Sequence, residues 1–345
     1  MNVFVMNFKR DKKSLIDCLD LDSFTVEDSD EMYSLDFLVV ARNDGDANQS
    51  YSIIEVESVV IYKGQCFVIK KCQEYGKGSI TGKKVTAIHI TFTIQDDFQY
   101  EEITGTKSIN ECLTHTFKAN TQGFKYEVIN TNGIINRIEQ ENFGNANLLA
   151  LIEKVMTDYD VAVVRDNKTF IFIPNEYFSN KTNNQIRYLY NTDDVSFDID
   201  SYTFKTQIKG FGKRKDPKEG QEVGDYYFEP VTYTSPEADY WGIRIQTPVN
   251  DERFTIRANM IQRLKRDLQN YPSITGSVTM KELEFEVKRG DLVRFIYEPL
   301  NVDKYIKVVG VIEKPFSNDP PQIELDTSKR TMIDYVAMLV KGGRK

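Results

Sequence analysis

The chain has 345 residues, more than one hydrophobic core usually serves, so two or three domains are expected. Hydrophobic residues make up 40% and charged residues 28%, which is ordinary for a folded globular chain and excludes wholesale disorder. The net charge of −8 argues against a non-specific nucleic-acid binder, which needs clustered positive charge.

Aromatic content is the unusual number. The chain holds 21 Phe, 19 Tyr and 1 Trp, 12% in all, and such residues favour half-buried pleated surfaces. Four cysteines (Cys18, Cys66, Cys72 and Cys112) are too few for a disulfide scaffold and show neither C-x-x-C nor zinc-ligand spacing. They read as free thiols of a protein made in the cytosol. Met1–Arg10 has no apolar segment of signal-peptide length. No stretch approaches the roughly 20 apolar residues of a spanning helix, so no membrane-spanning segment is expected.

Residues 1–104 read as turn-separated strands. Val3–Met6 opens; Ser23–Val26 and Tyr33–Val40 follow across the acidic turn Glu27–Glu31. Ser58–Tyr62 and Gln65–Lys71 form a hairpin about Lys63-Gly64, and Val85–Phe92 is a further strand. Residues 105–184 change to an α+β pattern. Ser108-Ile109-Asn110-Glu111 is a capping box, followed by Cys112, Leu113, Thr116 and Phe117 at helical spacing. A second helix fits 146–159, with Leu148, Ile152, Val155 and Tyr159 on one stripe. The hairpin Val161–Val164 / Thr169–Ile173 turns at Asp166-Asn167.

Strands return over 185–212, and a polar stretch from Lys213 to Gly224 reads as a loop or linker. Strands near 225–234 precede a long helix at 251–269, which Pro272 cannot extend. Strands at 274–280, 291–297, 304–313 and 322–326 and a last amphipathic helix at about 329–341 complete the chain. A strand–turn–strand at Val60–Ile69 is faintly echoed at Leu292–Val309, which suggests a duplicated β topology.

No chemical site emerges. His89 sits within a strand and His115 on a helix, with no second ligand at metal spacing. Cys112 and His115, three apart on one helix, are within mutual reach. They lack an orienting third group, and Cys112 falls on the apolar stripe, so core packing is the better reading. Gly210-Phe211-Gly212 begins like a dinucleotide fingerprint but leads into Lys213-Arg214-Lys215 and a polar loop, not a helix. That basic cluster adjoins Asp216 and Glu219 and reads as solvated. Asp96-Asp97 and Asp193-Asp194 are turn carboxylates. The Asn-x-Ser/Thr matches at Asn48, Asn167 and Asn180 mean nothing without secretion. No catalytic, cofactor-binding or metal-binding residue is assigned.

The order of the segments carries a resemblance. Val60–Gln65, Phe67–Lys71 and Val85–Ile90 come first, then Tyr100–Ser108 with the capped helix holding Cys112-Leu113. Gly144-Asn145-Ala146-Asn147, Asp166-Asn167-Lys168, Ile186-Arg187-Tyr188 and Ile208–Lys213 follow. From about residue 20 to 330 this resembles the prophage tail endopeptidase family, the N-terminal hub region of tail-associated lysins in long-tailed phages and prophages of Gram-positive bacteria.

The resemblance implies a mainly β fold with two tail-tube-like β-barrels, an inserted α+β domain and a C-terminal helix. On this sequence the first barrel is 1–104 plus 185–212, the insertion 105–184, the second barrel 213–330 with its helix 251–269, and the terminal helix and tail 331–345. It implies a homotrimer at the virion tail tip, joined to the distal tail protein ring, the tail tube and the tape-measure protein, with DNA passing through unbound. Many relatives continue into a wall-degrading or receptor-binding region, whereas this chain ends at Lys345. A structural hub is the first expectation. A cell-wall endopeptidase and a carbohydrate-binding adhesin are the alternatives.

Overall fold

Alternation sets the first sheet. In Tyr33–Val40, residues Leu35, Phe37 and Val39 are buried on one side while Asp36 and Leu38 face the other, the period-two pattern of a strand with one covered face. The computed structural model describes residues 2–326 apart from 42–48, 79, 130–132, 218–222, 253, 271–272, 282–284 and 301. It divides into two units, Met1–Val195 with Ser277–Asp326, and Ser196–Gly276. The fold is mainly β, as the aromatic content leads one to expect.

The first unit begins with β1 (Phe4–Met6), β2 (Lys13–Leu15), β3 (Leu19–Ser29), β4 (Tyr33–Val40), the short helix α1 (Gln49–Ile53), β5 (Val59–Tyr62), β6 (Gln65–Lys77) and β7 (Ile80–His89). The predicted hairpin is β5–β6, turning at Lys63-Gly64, both with positive φ. The acidic turn expected at Glu27–Glu31 is shorter, because β3 runs on to Ser29. Phe24, Phe37 and Tyr62 meet in the core at ring distances of 5.7 and 5.1 Å from Phe24, with Val26, Leu35, Phe67 and Ile69 around them. Burying each such ring stabilises the fold by about 1.5–3 kcal/mol.

An α+β segment follows: β8 (Phe98–Lys107), α2 (Ile109–Lys118), β9 (Lys125–Val128), β10 (Ile138–Asn147), α3 (Leu148–Tyr159), β11 (Val161–Asp166), β12 (Thr169–Pro174) and α4 (Asn175–Phe178). The capping box at Ser108 forms in full: Ser108 Oγ accepts from the Glu111 amide and Glu111 accepts from the Ser108 amide. Asn147 caps α3 by accepting from the Ala150 amide at 2.9 Å. The expected stripe of α3 is buried against Ile109, Leu113, Phe143 and Phe172.

β13 (Asn180–Arg187) and β14 (Thr192–Asp200) come next, and the chain enters the second unit along β14. There β15 (Gln207–Phe211), β16 (Val231–Thr234), α5 (Ala238–Trp241), β17 (Val249–Asn250) and α6 (Arg257–Asp267) form a three-stranded sheet with one helix on it. Ile208, Val231, Met260, Leu264 and Leu268 are its core. The helix expected over 251–269 is shorter at its start. The Asp251 amide bonds Phe211 O at 2.9 Å, the Phe254 amide turns back to Asp251 O at 3.2 Å, and Ile256 is still extended before α6. β18 (Ser273–Met280) returns the chain, and β19 (Asp291–Tyr297), β20 (Val302–Glu313) and β21 (Gln322–Leu325) complete the first unit. The helix expected at 329–341 lies outside the described residues.

The strand order of the large sheet is β14-β18-β21-β20-β3-β4-β7-β6-β5-β1-β2, with β19 and β13 branching from β20. β20 is shared. Its first half pairs β19 and its second half pairs β3 and β21. Among the described residues the strands of 185–212 take the following partners. β13 pairs β19, β14 neighbours β18, and β15 pairs β16 and β17. Strands from the segment 213–330 likewise divide, those of 291–325 joining the N-terminal strands. Val311 and Ile323 stand in one cross-strand row with Asp28 and Tyr33, half-buried except at Ile323, so the two sets of strands share a face.

Replacing Ser108 by Ala removes one cap bond and one anchor of Glu111. Chemical denaturation should show a loss of about 1 kcal/mol, with a far-UV spectrum otherwise unchanged.

Candidate functional site

His89, Cys112, His115, Asp97 and Asp193 are each engaged in internal structure, while Asn48 and Glu219 lie outside the described residues. His89 is the last residue of β7 rather than mid-strand, and it caps the 3-10 turn at Ile90–Asp96. It is fully buried, stacked on Tyr33 at 4.9 Å. Gln65 donates from Nε2 to Asp166 Oδ1 at 3.0 Å and accepts at Oε1 from the Asn167 amide at 2.7 Å, which fixes its orientation. Oε1 can only accept, so His89 Nε2, 3.1 Å away, donates and Nδ1 accepts from Thr91 Oγ1 at 2.8 Å. Burial, with Arg165 nearby, pushes the imidazole down to about 3.

Cys112 and His115 share α2 but turn to different partners. Cys112 Sγ lies 3.2 Å from Tyr159 Oη, and burial pushes its thiol up. His115 Nε2 bonds Glu101 O at 2.8 Å, a partner that requires Nε2 to donate. The thiol is thus neither ionised nor paired with a base, contrary to what a nucleophile needs. Asp97 accepts from the Thr121 amide and hydroxyl, a structural turn. Asp193 forms an ion pair with Lys281 at 2.7 Å. Among the described residues no group of three or more His, Cys, Asp or Glu is placed to hold a metal ion.

Gly210-Phe211-Gly212 has a packing role. A Cβ at Gly210 would come within 2.6 Å of Met260 Sδ, and one at Gly212 within 2.5 Å of Phe254 O. These glycines let α6 and the 254 loop lie directly on β15, not on a dinucleotide. Arg214 donates to Gly224 O at 3.1 Å and Tyr226 Oη at 2.6 Å, so the Lys213-Arg214-Lys215 cluster is in part a loop clasp.

What the sequence did not reveal is a charged cleft of about 340 Å³ in the first unit. It lies where the N-terminal strands, the α+β segment and the C-terminal strands converge. Asp28, Tyr33, Tyr62, Lys63, Val164, Phe178, Arg289 and Glu313 line it. The Arg289 side chain is 7% exposed. It donates to Asp30 Oδ1 at 2.7 Å and Val163 O at 2.9 Å, and its Nε lies 3.3 Å from Asp28 Oδ1 without hydrogen-bond alignment. Arg165 donates to Asp30 O at 3.3 Å and stacks over Phe92 at 4.7 Å. Burial pulls Arg165 down to about 10 and pushes Asp28 up against the pull of Arg289. Tyr33 is pushed up to about 12 by burial and by Asp28. Its charged lining is balanced, with Asp28, Glu286 and Glu313 set against Lys63, Lys288 and Arg289. Its geometry is that of a clamp between segments.

A second clasp supports it. The β5–β6 turn and the β11–β12 turn interlock, with the Cys66 amide on Asn167 Oδ1 at 3.1 Å and Asn167 Nδ2 on Gly64 O at 3.2 Å. No helix of the described residues is long and apolar enough to cross a membrane.

Comparison with known proteins covers nearly the whole chain. The family described as Prophage endopeptidase tail matches at residues 180–336, its N-terminal domain at 3–89 and a further domain at 96–172. The crystal structure of prophage tail protein gp18 from Listeria monocytogenes EGD-e is similar at 41% identity and a TM-score of 0.71, over 100% of both chains. A 43 kDa tail protein of prophage MuSo2 from Shewanella oneidensis shares the fold at 12% identity and a TM-score of 0.63, over 94% of this chain and 98% of that one. A tail protein from Neisseria meningitidis MC58 does so at 10% and 0.60, over 94% and 95%. No curated protein matches.

Two outcomes follow from these geometries. Arg289→Met leaves Asp28 and Asp30 without their cation; both are partly exposed, so equilibrium unfolding should show a loss of about 1–3 kcal/mol. His89 is a base whose folded value lies below its unfolded 6.5, so its contribution is complete above that pH and is lost as pH falls toward about 3. Wild type should therefore lose more thermal stability than His89→Gln between those limits. Equal slopes would mean that His89 is not held neutral.

Proposed function

The chain belongs to the prophage endopeptidase tail family, and on that premise we propose that it is the structural hub at the distal tip of a phage or prophage tail. In this reading it is a homotrimer in the virion. It joins the tail tube and the ring of distal tail protein to the host-contacting end and lines the channel through which DNA leaves. The observation that carries the reading is the end-to-end match to a prophage tail protein at 41% identity. The internal engagement of Cys112, His115 and His89 supports a structural role over hydrolysis.

The symmetry argument is physical. Tail-tube rings are hexameric, and a trimer meets six-fold symmetry only if each subunit offers two similar surfaces. The shared strand β20, paired to β19 on one half and to β3 on the other, places two strand systems side by side in one chain. Heterologous contacts then close the ring. The net charge of −8 suits a channel that must release a polyanion.

Light scattering should give three times the 39.9 kDa chain mass. A peptidoglycan zymogram should show no clearing. A monomer that persists with the distal tail ring present removes the hub reading. Clearing lost in His115→Ala with the fold intact replaces it with the endopeptidase, and retention on purified cell wall favours the adhesin.

A further inference from the structure

The small sheet of Ser196–Gly276 has one face on α6 and one face open. Ile208, Gly210, Val231 and Tyr233 share the α6 side, so Gln207, Lys209 and Phe211 of β15 share the other with Thr232 and Thr234. Ile245 bridges Gln207 at this sheet and is 66% exposed, an apolar residue left in solvent. From Ser201 to Lys215 the chain has five basic residues and no acidic one. Lys209, Lys213 and Lys215 are exposed and in no ion pair among the described residues.

A face of opposite sign lies on the large sheet. On the side turned away from Phe24, Leu35 and Phe37 stand Glu27, Asp36 and Glu324, with Glu31 at the adjoining turn. None of the four is in an ion pair among the described residues. Ile312, Ile88 and Leu38 are half-buried on the same side. Burial, and the neighbouring carboxylates, push Glu27 and Glu324 up, so this face gains from an added cation.

We propose that the open face of β15 and β16 docks on the acidic side of β3, β4 and β21 of a second copy, with Ile245 at its apolar centre and Lys209 and Lys213 against Glu27, Glu324 and Asp36. The proposal rests on the homotrimer and names its contact. Each copy presents one patch of each sign, as a heterologous ring requires. Apolar centres rimmed by complementary charge are the usual anatomy of such contacts. A nucleic-acid strand fits less well, because the Arg214 guanidinium already covers the Tyr226 ring at 3.8 Å and leaves it no open face on that side for a base.

The test is a charge swap read by light scattering on the full chain, with circular dichroism as the folding control. Lys209→Glu with Lys213→Glu should weaken trimer formation roughly 100-fold or more. Glu27→Lys with Glu324→Lys should do the same, and a chain carrying all four changes should recover the trimer. Should the half-buried Glu variants not fold, the lysine variant decides alone. A trimer unmoved by it overturns the docking and leaves the hub reading standing. A monomeric wild type overturns both. DNA retention in a gel shift that the lysine variant abolishes, with its mass unchanged, assigns the face to nucleic acid and also overturns the docking.

Discussion

The guanidinium of Arg289 is the tie on which the first unit depends. It joins Asp28 and Asp30 at the end of β3 to the Val163 carbonyl of β11, and it is itself delivered by the turn before β19. Three stretches more than a hundred residues apart in sequence are thus held by one planar group with several donors, which Lys could not reproduce. The interlocked turns at Gly64–Cys66 and Asp166-Asn167 hold the same segments from a second side. Apolar cores alone leave their relative orientation free, since the N-terminal sheet and the α+β segment each close their own cluster. Directional bonds between them fix it.

The same use of directional bonds accounts for the side chains that carry reactive groups. His89, Gln65 and Asn167 form a chain of hydrogen bonds whose tautomer is set by Gln65, and burial keeps the imidazole neutral. Gly210 and Gly212 are small because a helix and a loop press on β15. Such features place segments accurately, which is what an assembly subunit needs. Lys209 on β15 and the apolar Ile243 and Ile245 stay exposed in the same unit.

Much of the fold was legible because its signals are local. The Ser108 box, the stripe of α3 and the β5–β6 and β11–β12 hairpins need only neighbours in sequence. β8 and β10 escaped, because both are largely polar ribbons, bulged twice, whose exposed residues show no clean alternation. The partners of β13 to β15 escaped for another reason. Strand pairing is decided by faces brought together from afar, and nothing in Ile186 or Ile208 names its neighbour. The Arg289 clamp was invisible in the same way, since Asp28, Val163 and Arg289 carry no joint spacing. The family resemblance rested on the order of many loose motifs, and this order is what the comparisons bear out.

The central claim is that the chain closes the tail tube as a trimeric structural hub. Electron cryomicroscopy of intact tails from an induced lysogen tests it most directly. The account predicts three copies at the distal end, directly below the ring of distal tail protein, around an open axial channel. Density for this chain elsewhere along the tail, or in any copy number other than three, would contradict it.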